Sequence, residues 1–364
     1  MKRVLFLLKD LTLGGTERVA LNLIRHLPKD RFTCAIFLCG DTLSLSAEVP
    51  EGVEVMTGVS SQTRARKAFL PLLGKLRKRI RAFDIVIATN PDTTALMRIA
   101  GIGCSVRMLT WVHFSAAAFL PSVNRLIRLE AHASYPFVPE RVFISEGSRV
   151  SFEEAFGATP SGRLIPNIFD PTAYSAASST VDTVQSLKGQ GLPVIGFVGR
   201  LAEEKGLPEL LAIHEALLSK GVLHNLAIVG DGPLRGWLNS EIRNRQLQSR
   251  VHMLGADPAP FKAVQQFDLL ALTSSQDAWP TVVLEAFEAG TPVVAYDCPT
   301  GPREMLVGEL TEGLVPYGDS AGFVEAVCFA LKNRESLAVA GHARIRSYYP
   351  EKIISQWTAL LENP

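Results

Sequence analysis

Two successive series of short apolar runs, in which amphipathic segments separate the runs, constrain this chain more than any other feature. The first series begins with RVLFLL (3–8) and ends with RVFIS (141–145), and the second begins with PVIGFVGR (193–200) and ends with TPVVAYD (291–297). Continuous apolar strands that alternate with helices are typical of a parallel sheet covered on both faces. The sequence therefore predicts an α/β protein in which two Rossmann-like, doubly wound domains face each other across a central cleft.

Chain length and a change in composition place the domain boundaries. A chain of 364 residues is longer than one ordinary domain. Between residues 163 and 193 the apolar periodicity stops and Pro, Ser, Thr and Gly accumulate, as in a linker with only helix fragments. We place the first domain at residues 1–168 and the second at residues 190–346, and we predict a helix in residues 349–364.

Charge and cysteine content narrow the functional class. Lys and Arg number 37 against 36 Asp and Glu, a net charge of +1, so the sequence indicates no nucleic-acid partner. Five scattered cysteines without CxxC spacing argue against a disulfide framework and a zinc site, and they favour the cytoplasm. The apolar run from Val4 to Leu8 is too short for a signal peptide or a membrane-spanning helix.

Cations follow the first predicted strand of the second domain. GRLAEEKG (199–206) comes directly after VIGFV, at the strand end where open α/β sheets bind ligands. Arg200 as a fork and Lys205 as a point charge could both reach one diphosphate. The alternative interpretation is a loop with solvated charges.

Glycines mark two further anion sites. Gly14 and Gly15 follow the first strand and leave backbone amides at a helix start, where a phosphate or a sugar can approach closely. Gly301 stands before Pro302, a favoured first helical residue, and predicts a second cradle of free amides. The alternatives are ordinary helix starts, with Thr16 as the N-cap residue in the first case.

Two carboxylates flank a predicted helix start in SSQDAWPTVVLEAFEAG (274–290). We predict that the helix begins at Pro280, with Asp277 in the preceding loop and Glu285 in the second turn. Because proline has no N–H, the amides of Thr281 and Val282 are the donors open to a phosphate oxygen. A plain helix capped by an aspartate is the alternative.

His113 and a basic segment complete the candidate residues. His113 follows the apolar strand SVRMLTWV and could orient a hydroxyl or support a leaving phosphate, or it is a satisfied core histidine. Residues 64–83 contain eight basic residues and no acidic one, and they predict a helix. Its apolar face consists of Phe69, Leu72, Leu73, Leu76, Ile80 and Phe83. Its basic face is either solvated or contacts anionic lipid headgroups or a polyanionic acceptor.

Five segments of the sequence together resemble the family 4 retaining glycosyltransferases, as found in bacterial lipopolysaccharide, capsule and lipid-linked oligosaccharide synthesis. These segments are GGTERVALNL (14–23), GRLAEEKG, VGDGP (229–233), DAWPTVVLEAFEAGTPVVA (277–295) and PTGPREML (299–306). The resemblance covers nearly the whole chain, in the expected order. It implies the two-domain GT-B fold, a nucleotide-sugar donor held mainly by the second domain, an acceptor held mainly by the first, and a final helix that packs back on the first domain.

The resemblance also implies residue roles. It assigns catalysis to His113, Asp277, Arg200 and Lys205. Donor binding falls to Gly14, Gly15, Arg200, Lys205, Asp277, Thr281, Val282, Glu285 and Gly301, and acceptor binding to Gly15, Glu17 and His113. Glu285 matches the family glutamate that binds the donor ribose.

Asp277 departs from the family pattern, because it replaces the first glutamate of the signature. The carboxylate is set back by about 1.5 Å, the length of one C–C bond. Either the donor sugar differs from the common choice or the loop closes farther.

We therefore expect a cytoplasmic transferase, at the inner face of the cytoplasmic membrane, that moves a hexose or N-acetylhexosamine from a UDP-sugar to a glycan or lipid-linked acceptor. No two aspartates are spaced as DxD, so neither a metal nor another cofactor is indicated. Two alternatives stay open: a nucleotide-sugar epimerase of related fold and a non-catalytic module that binds nucleotides or glycans.

Overall fold

The chain folds into two compact units in a computed structural model. The first comprises Met1–Asp170 and Tyr348–Pro364, and the second comprises Pro171–Ser347. The structure describes residues 1–12, 14–59, 65–158, 162–173 and 178–363, with the side chains of 65–68 left out. Arg64 of the predicted basic helix lies outside the described residues. Residues 171–189, which we placed between the domains, lie in the second unit.

Within the described part of the chain, the first unit contains a parallel sheet in the order β3-β2-β1-β4-β5-β6-β7. The strands are β1 (Lys2–Leu8), β2 (Phe32–Leu38), β3 (Glu54–Thr57), β4 (Ile85–Ala88), β5 (Arg107–Val112), β6 (Glu140–Phe143) and β7 (Gly162–Leu164). The helices are α1 (Gly15–His26), α2 (Ala65–Ile80), α3 (Pro91–Ala100), α4 (Ala116–Ser122), α5 (Arg125–Ser134) and α6 (Glu146–Phe156). Val4 to Leu8 of β1 are fully buried, as expected for a strand covered on both faces.

The second unit contains a parallel sheet in the order β10-β9-β8-β11-β12-β13. The strands are β8 (Val194–Val198), β9 (Asn225–Val229), β10 (Val251–Gly255), β11 (Leu269–Leu272), β12 (Val293–Asp297) and β13 (Leu314–Pro316). The helices are α7 (Val181–Lys188), α8 (Leu207–Ser219), α9 (Arg235–Asn244), α10 (Pro260–Val264), α11 (Thr281–Ala289), α12 (Pro302–Met305), α13 (Ser320–Lys332) and α14 (Arg334–Ile345).

Both sheets have the strand order of a doubly wound Rossmann fold, which confirms the predicted α/β class. The first strand of each sheet pairs with two neighbours: β1 with β2 and β4, and β8 with β9 and β11. The order reverses between β1 and β4 and between β8 and β11. In open α/β sheets, ligands bind in the crevice at the carboxyl ends of the strands where this reversal occurs.

The last helix, α15 (Pro350–Glu362), belongs to the first unit. Its apolar stripe of Ile353, Trp357 and Leu361 is buried. Lys2 Nζ donates to Leu361 O at 2.9 Å and to Glu362 O at 2.8 Å, and Arg107 Nη1 donates to Leu361 O at 3.2 Å. Cations at the end of a helix form hydrogen bonds with its last carbonyls and interact favourably with its dipole. Lys2 and Arg107 are the first residues of β1 and β5, so the end of α15 is held at the amino ends of these strands.

The basic helix α2 ends at Ile80, three residues before the predicted apolar face ends. Leu72, Leu76 and Ile80 are buried in the core cluster. Phe69, which we predicted on the same face, is 37% exposed, because the core that α2 packs against begins one turn later, at Leu72.

Candidate active site

The loops after β8 and β11 meet at the strand reversal of the second sheet. Gly206 has a φ of +63°, and a Cβ atom there would lie 2.1 Å from the carbonyl oxygen of Thr273. Thr273 Oγ1 donates to Lys205 O at 3.0 Å, and the amide of Ser275 donates to Glu204 O at 2.9 Å. Because only glycine permits this close approach, the loop of Lys205 is fastened to the loop that carries Asp277.

Lys205 and Asp277 form an ion pair, which was not predicted. Lys205 Nζ lies 2.5 Å from Asp277 Oδ2, and the two side chains are 21% and 15% exposed. Burial acts to lower the pKa of Lys205, but the Asp277 carboxylate outweighs it and the pKa lies above its ordinary value. Lys205 is therefore an ammonium ion at neutral pH, and its two other N–H groups can reach a second acceptor.

Arg200 lies in the same loop and its side chain is exposed. The structure shows no ion pair or hydrogen bond of its guanidinium within the described ranges. The next residue, Leu201, donates to Asp231 O at 3.0 Å, and a Cβ at Gly230 would lie 1.9 Å from Gly199 O. The glycines of VGDGP thus allow the loops after β8 and β9 to pack against each other.

The start of α11 differs by one residue from the prediction. Pro280 has ψ of 100°, outside the helical region, so it is the N-cap residue and Thr281 is the first helical residue. The amide of Val283 donates to Pro280 O at 3.0 Å. No hydrogen bond from the amides of Thr281 or Val282 is found among the residues that the structure describes. These two amides lie in the first turn of α11, and their contact with a phosphate stays a prediction.

Glu285 lies in the second turn of α11 and is only 4% exposed. A buried ionised carboxylate requires hydrogen bonds or a partner charge, because transfer of its charge out of water is unfavourable. Its contact with a ribose stays a prediction.

A third loop, between β12 and α12, holds the backbone of Asp277. Thr300 Oγ1 donates to Asp277 O at 3.2 Å, and Cys298 Sγ lies 4.0 Å from the same oxygen. Gly301 has a φ of +86°, and a Cβ there would lie 2.4 Å from Asp277 O. Gly301, predicted as part of an anion cradle, therefore also permits this close approach. α12 is one short turn, Pro302–Met305.

In the first unit, the helix start after β1 carries a carboxylate. Gly14 is the N-cap residue of α1 with extended backbone (φ −113°, ψ 156°), which excludes Thr16 from that role, and Gly15 is the first helical residue. A Cβ at Gly14 would lie 2.1 Å from Glu17 Oε2, so the Glu17 side chain folds back over the helix start. Burial raises the pKa of Glu17. Leu13 lies outside the described residues.

His113 directly follows β5 in the first unit. Its ring centroid lies 4.4 Å from that of Trp111, and its buried Nε2 has no hydrogen-bond partner in the described part of the chain. Burial lowers the pKa of His113 to about 3. The imidazole is therefore neutral at pH 7, so it can exchange a hydrogen bond with a hydroxyl but supplies no positive charge to a phosphate.

The predicted residues are divided between the two units. The second unit holds Arg200, Lys205, Asp277, Thr281, Val282, Glu285 and Gly301, and the first holds Gly14, Gly15, Glu17 and His113. The supporting contacts of Thr300, Cys298 and Gly206 were not predicted. For Thr300 the sequence offers one local signal, the Gly-Pro step that follows it, since glycine before a helix permits a positive φ. The contacts of Cys298 and Gly206 join loops that are distant in sequence, so no local pattern predicts them.

The described residues contain neither a metal-binding cluster nor a membrane-spanning helix. No group of three or more His, Cys, Asp or Glu side chains among them is placed to hold a metal ion. No helix in those ranges is both long and apolar enough to span a bilayer. Metal independence stays a prediction.

Comparisons with known proteins identify the class of enzyme. Residues 13–173 match the family model described as Glycosyltransferase Family 4, and residues 179–345 match the model described as Glycosyl transferases group 1. An uncharacterized glycosyltransferase of Haemophilus influenzae is 23% identical over 99% of this chain and 100% of its own. The amylovoran biosynthesis glycosyltransferase AmsD of Erwinia amylovora is 27% identical over 45% of this chain and 46% of its own.

A solved structure shows the same fold. The crystal structure of Anabaena Alr3699/HepE in complex with UDP and glucose has a TM-score of 0.82 with this chain, at 20% identity and over 100% of both chains. The two family models follow each other along the two units. The chain is therefore a glycosyltransferase of the GT-B fold, similar to family 4.

Proposed function

We propose that this glycosyltransferase moves a hexose or N-acetylhexosamine from a UDP-sugar to a glycan or lipid-linked glycan in surface polysaccharide biosynthesis, with retention of configuration and without a metal ion. The observation that carries the proposal is the Lys205–Asp277 pair, at 2.5 Å, beside the exposed Arg200 at the strand reversal of the second sheet. The Anabaena structure contains UDP and glucose and AmsD is named for amylovoran biosynthesis, which supports the donor and acceptor classes.

The charges of this site suit a departing diphosphate. Breaking the anomeric C–O bond leaves negative charge on the phosphate oxygen and an oxocarbenium-like sugar. Arg200 and Lys205 with the helix amides of Thr281 and Val282 would stabilise that charge without reorganisation. An acceptor hydroxyl forms the new bond to the anomeric carbon from the same face, and its proton passes to the phosphate oxygen.

The first unit suits an uncharged, hydroxyl-rich acceptor. Glu17 folds its carboxyl group over the start of α1, next to Gly14, where it occupies space that a phosphate would need. His113 is neutral, and its buried Nε2 can pair with a hydroxyl. Both groups favour sugar hydroxyls over a phosphate at this position, and we assign Gly15, Glu17 and His113 to the acceptor.

The outer face of α2 supports an acceptor at a membrane surface. Lys75, Lys78 and Arg79 are exposed on α2, and the side chain of Leu70 is 73% exposed. A helix with apolar and basic groups directed outward binds anionic lipid through both area and charge. We therefore place the enzyme at the cytoplasmic face of a membrane, where a lipid-linked acceptor is held.

A donor screen followed by turnover assays tests the proposal. A UDP-sugar at 100 times its Kd stabilises the folded protein by about 2.7 kcal/mol, which a melting curve detects. Arg200→Ala is expected to reduce transfer by roughly 10² to 10³, as for loss of one oxyanion donor. Arg243→Ala, which removes an exposed cation from α9, is the matched control.

Three outcomes contradict the proposal. If no nucleotide-sugar changes the melting temperature, the donor site is wrongly assigned. If the donor is isomerised without any acceptor, the protein is an epimerase. If donors bind but none is turned over with any glycan acceptor, the protein is a binding module.

A further inference from the structure

Three aromatic rings connect the C-terminal helix with the candidate acceptor site of the first unit. Trp357 of α15 and Trp111 of β5 are both 0% exposed. Their ring centroids lie 4.7 Å apart at an interplanar angle of 66°, and the Trp111 ring lies 4.4 Å from the His113 ring at 48°. Trp111 is therefore packed between the helix and the histidine.

The backbone holds both ends of this row of rings. Trp111 and His113 are two residues apart in extended chain, so their side chains point to the same side of the sheet. Trp357 lies on the buried stripe of α15 four residues from Ile353 and from Leu361. Because Lys2 and Arg107 fasten the end of this helix, Trp357 has a fixed place beside Trp111.

The orientation of His113 depends on these contacts. A functional histidine is usually oriented by a hydrogen bond to one ring nitrogen. Within the described ranges, no hydrogen bond of the His113 ring is seen, and its Nε2 is buried. In the described part of the chain the ring packs against Trp111, and no hydrogen bond occupies its nitrogens.

We propose that Trp357 is a positioning residue for His113 and acts through the ring of Trp111. This inference rests on the proposed function, in which His113 meets the acceptor. It assigns α15 a task beyond the stability of the first unit: the helix sets the direction of the His113 side chain and keeps water away from its ring.

Variants of the full-length protein separate positioning from stability. Trp357→Leu keeps an apolar side chain but removes the ring, Trp357→Phe keeps a ring, and Leu361→Ala removes an equally buried group from the same helix face. NMR titration of His113 and steady-state kinetics are measured for all three. We expect Trp357→Leu to raise the pKa of His113 from about 3 by at least about one unit, as water reaches the ring.

The same variant is expected to lower kcat about tenfold or more, since a small misplacement of a reacting group is enough for that loss. Trp357→Phe should restore most of the titration and the rate. Leu361→Ala should lower the melting temperature while the pKa of His113 and kcat stay at their wild-type values.

If Trp357→Leu and Leu361→Ala have the same pKa of His113 and the same kcat, the inference is wrong. The role of His113 itself is tested separately with His113→Ala. If that variant keeps wild-type turnover, the proposed function is wrong at this residue, whereas the NMR titration still decides whether Trp357 orients the ring.

Discussion

At the scale of single residues, the Lys205–Asp277 pair connects the length of the Asp277 side chain with the protonation of Lys205. The family pattern has a glutamate where this chain has Asp277, and the shorter side chain lies 2.5 Å from Lys205 Nζ. The carboxylate holds the pKa of Lys205 above its ordinary value in a setting where burial would lower it. An ammonium group that stays charged at neutral pH suits a site for a departing diphosphate.

The first prediction concerns the pH dependence of this pair. In Asp277→Asn burial still lowers the pKa of Lys205, and of the groups that raise it only Glu204 and Cys298 remain, so this pKa should fall from its wild-type value. The alkaline limb of the kcat profile should then move to lower pH, with a loss of roughly 10² at neutral pH. Asp297→Asn removes a carboxylate that pairs with Arg303 instead and is the control. Coincident alkaline limbs for wild type and Asp277→Asn would contradict the role of the pair.

The second prediction concerns the choice of donor sugar. Asp277→Glu extends the carboxylate by about 1.5 Å. We expect the ratio of kcat/KM between UDP-hexose and UDP-N-acetylhexosamine to change, because the carboxylate would reach a different sugar hydroxyl. Competition assays with both donors measure this ratio. An unchanged preference would show that the shorter side chain does not set the sugar.

At the scale of elements, three glycines and the buried carboxylate of Asp257 hold the loops of the second unit together. Gly206, Gly230 and Gly301 each permit a backbone approach that a Cβ would block. The site therefore depends on contacts between loops as well as on its charged side chains.

The third prediction separates loop contact from backbone strain. Gly206 and Gly221 both have positive φ, +63° and +84°, but only Gly206 has a neighbour, Thr273 O, within 4 Å of its added Cβ. Gly221→Ala should lose about 1 to 2 kcal/mol from the left-handed backbone alone, with unchanged kcat. Gly206→Ala should lose more stability and also kcat, because the Lys205 loop must move. Urea unfolding and turnover measure both; equal effects of the two variants would exclude a role of the contact.

The fourth prediction concerns Asp257, in the loop after β10, which is 9% exposed. Its carboxylate accepts hydrogen bonds from Ser178 Oγ at 2.6 Å, Thr180 N at 3.2 Å and Ala259 N at 2.8 Å. Burial acts to raise the pKa of Asp257, but these hydrogen bonds outweigh it, and the pKa lies below its ordinary value. The carboxylate thus joins the segment before α7 to the loop after β10.

A lowered carboxyl pKa adds stability above the ordinary pKa, and this stability is lost as pH falls through the lowered value. Asp257→Asn should therefore lose about 1 to 3 kcal/mol at pH 7. Its free energy of unfolding should also depend less on pH than that of the wild type between neutral and acid conditions. Urea unfolding across this range is the measurement, with Asp182→Asn on α7 as control; parallel curves for wild type and Asp257→Asn would contradict the account.

At the scale of the whole molecule, the residues proposed for the donor lie mostly in the second unit and those proposed for the acceptor lie in the first. The exposed basic face of α2 belongs to the first unit. Surface charge of this kind acts over about 8 Å at physiological salt. We expect it to affect recruitment of the protein to a charged surface.

The fifth prediction tests this recruitment. Charge reversal at Lys75, Lys78 and Arg79 should weaken binding to vesicles that contain phosphatidylglycerol by roughly 10² or more, at about 1 kcal/mol per basic residue. Turnover of a soluble acceptor should not change. Reversal at Arg243 and Arg346, exposed in the second unit, is the control. Cosedimentation with these vesicles and with pure phosphatidylcholine gives the comparison; equal binding by all proteins would exclude α2 as the contact.

Local pattern alone determined much of this protein. The apolar runs that predicted β1, β2, β4 to β6 and β8 to β12 correspond to observed strands, because burial on both faces requires continuous apolar sequence. Strands β3, β7 and β13 were missed, and they have only three or four residues each. Each lies at an edge of its sheet and has at most one buried residue, so it carries no continuous apolar run, whereas β4 and β11 have four buried residues each.

Tertiary structure alone decided how the functional side chains meet. Lys205 and Asp277 are 72 positions apart and the sequence placed each at a strand end, but their ion pair depends on the β8–β11 reversal and on Gly206 beneath Thr273. The neutrality of His113 follows from burial, and its packing depends on Trp357, 244 residues away by the numbering. Periodicity and turn residues act over a few neighbours and are legible in sequence, whereas ion pairs, burial and ring contacts arise only when distant segments pack.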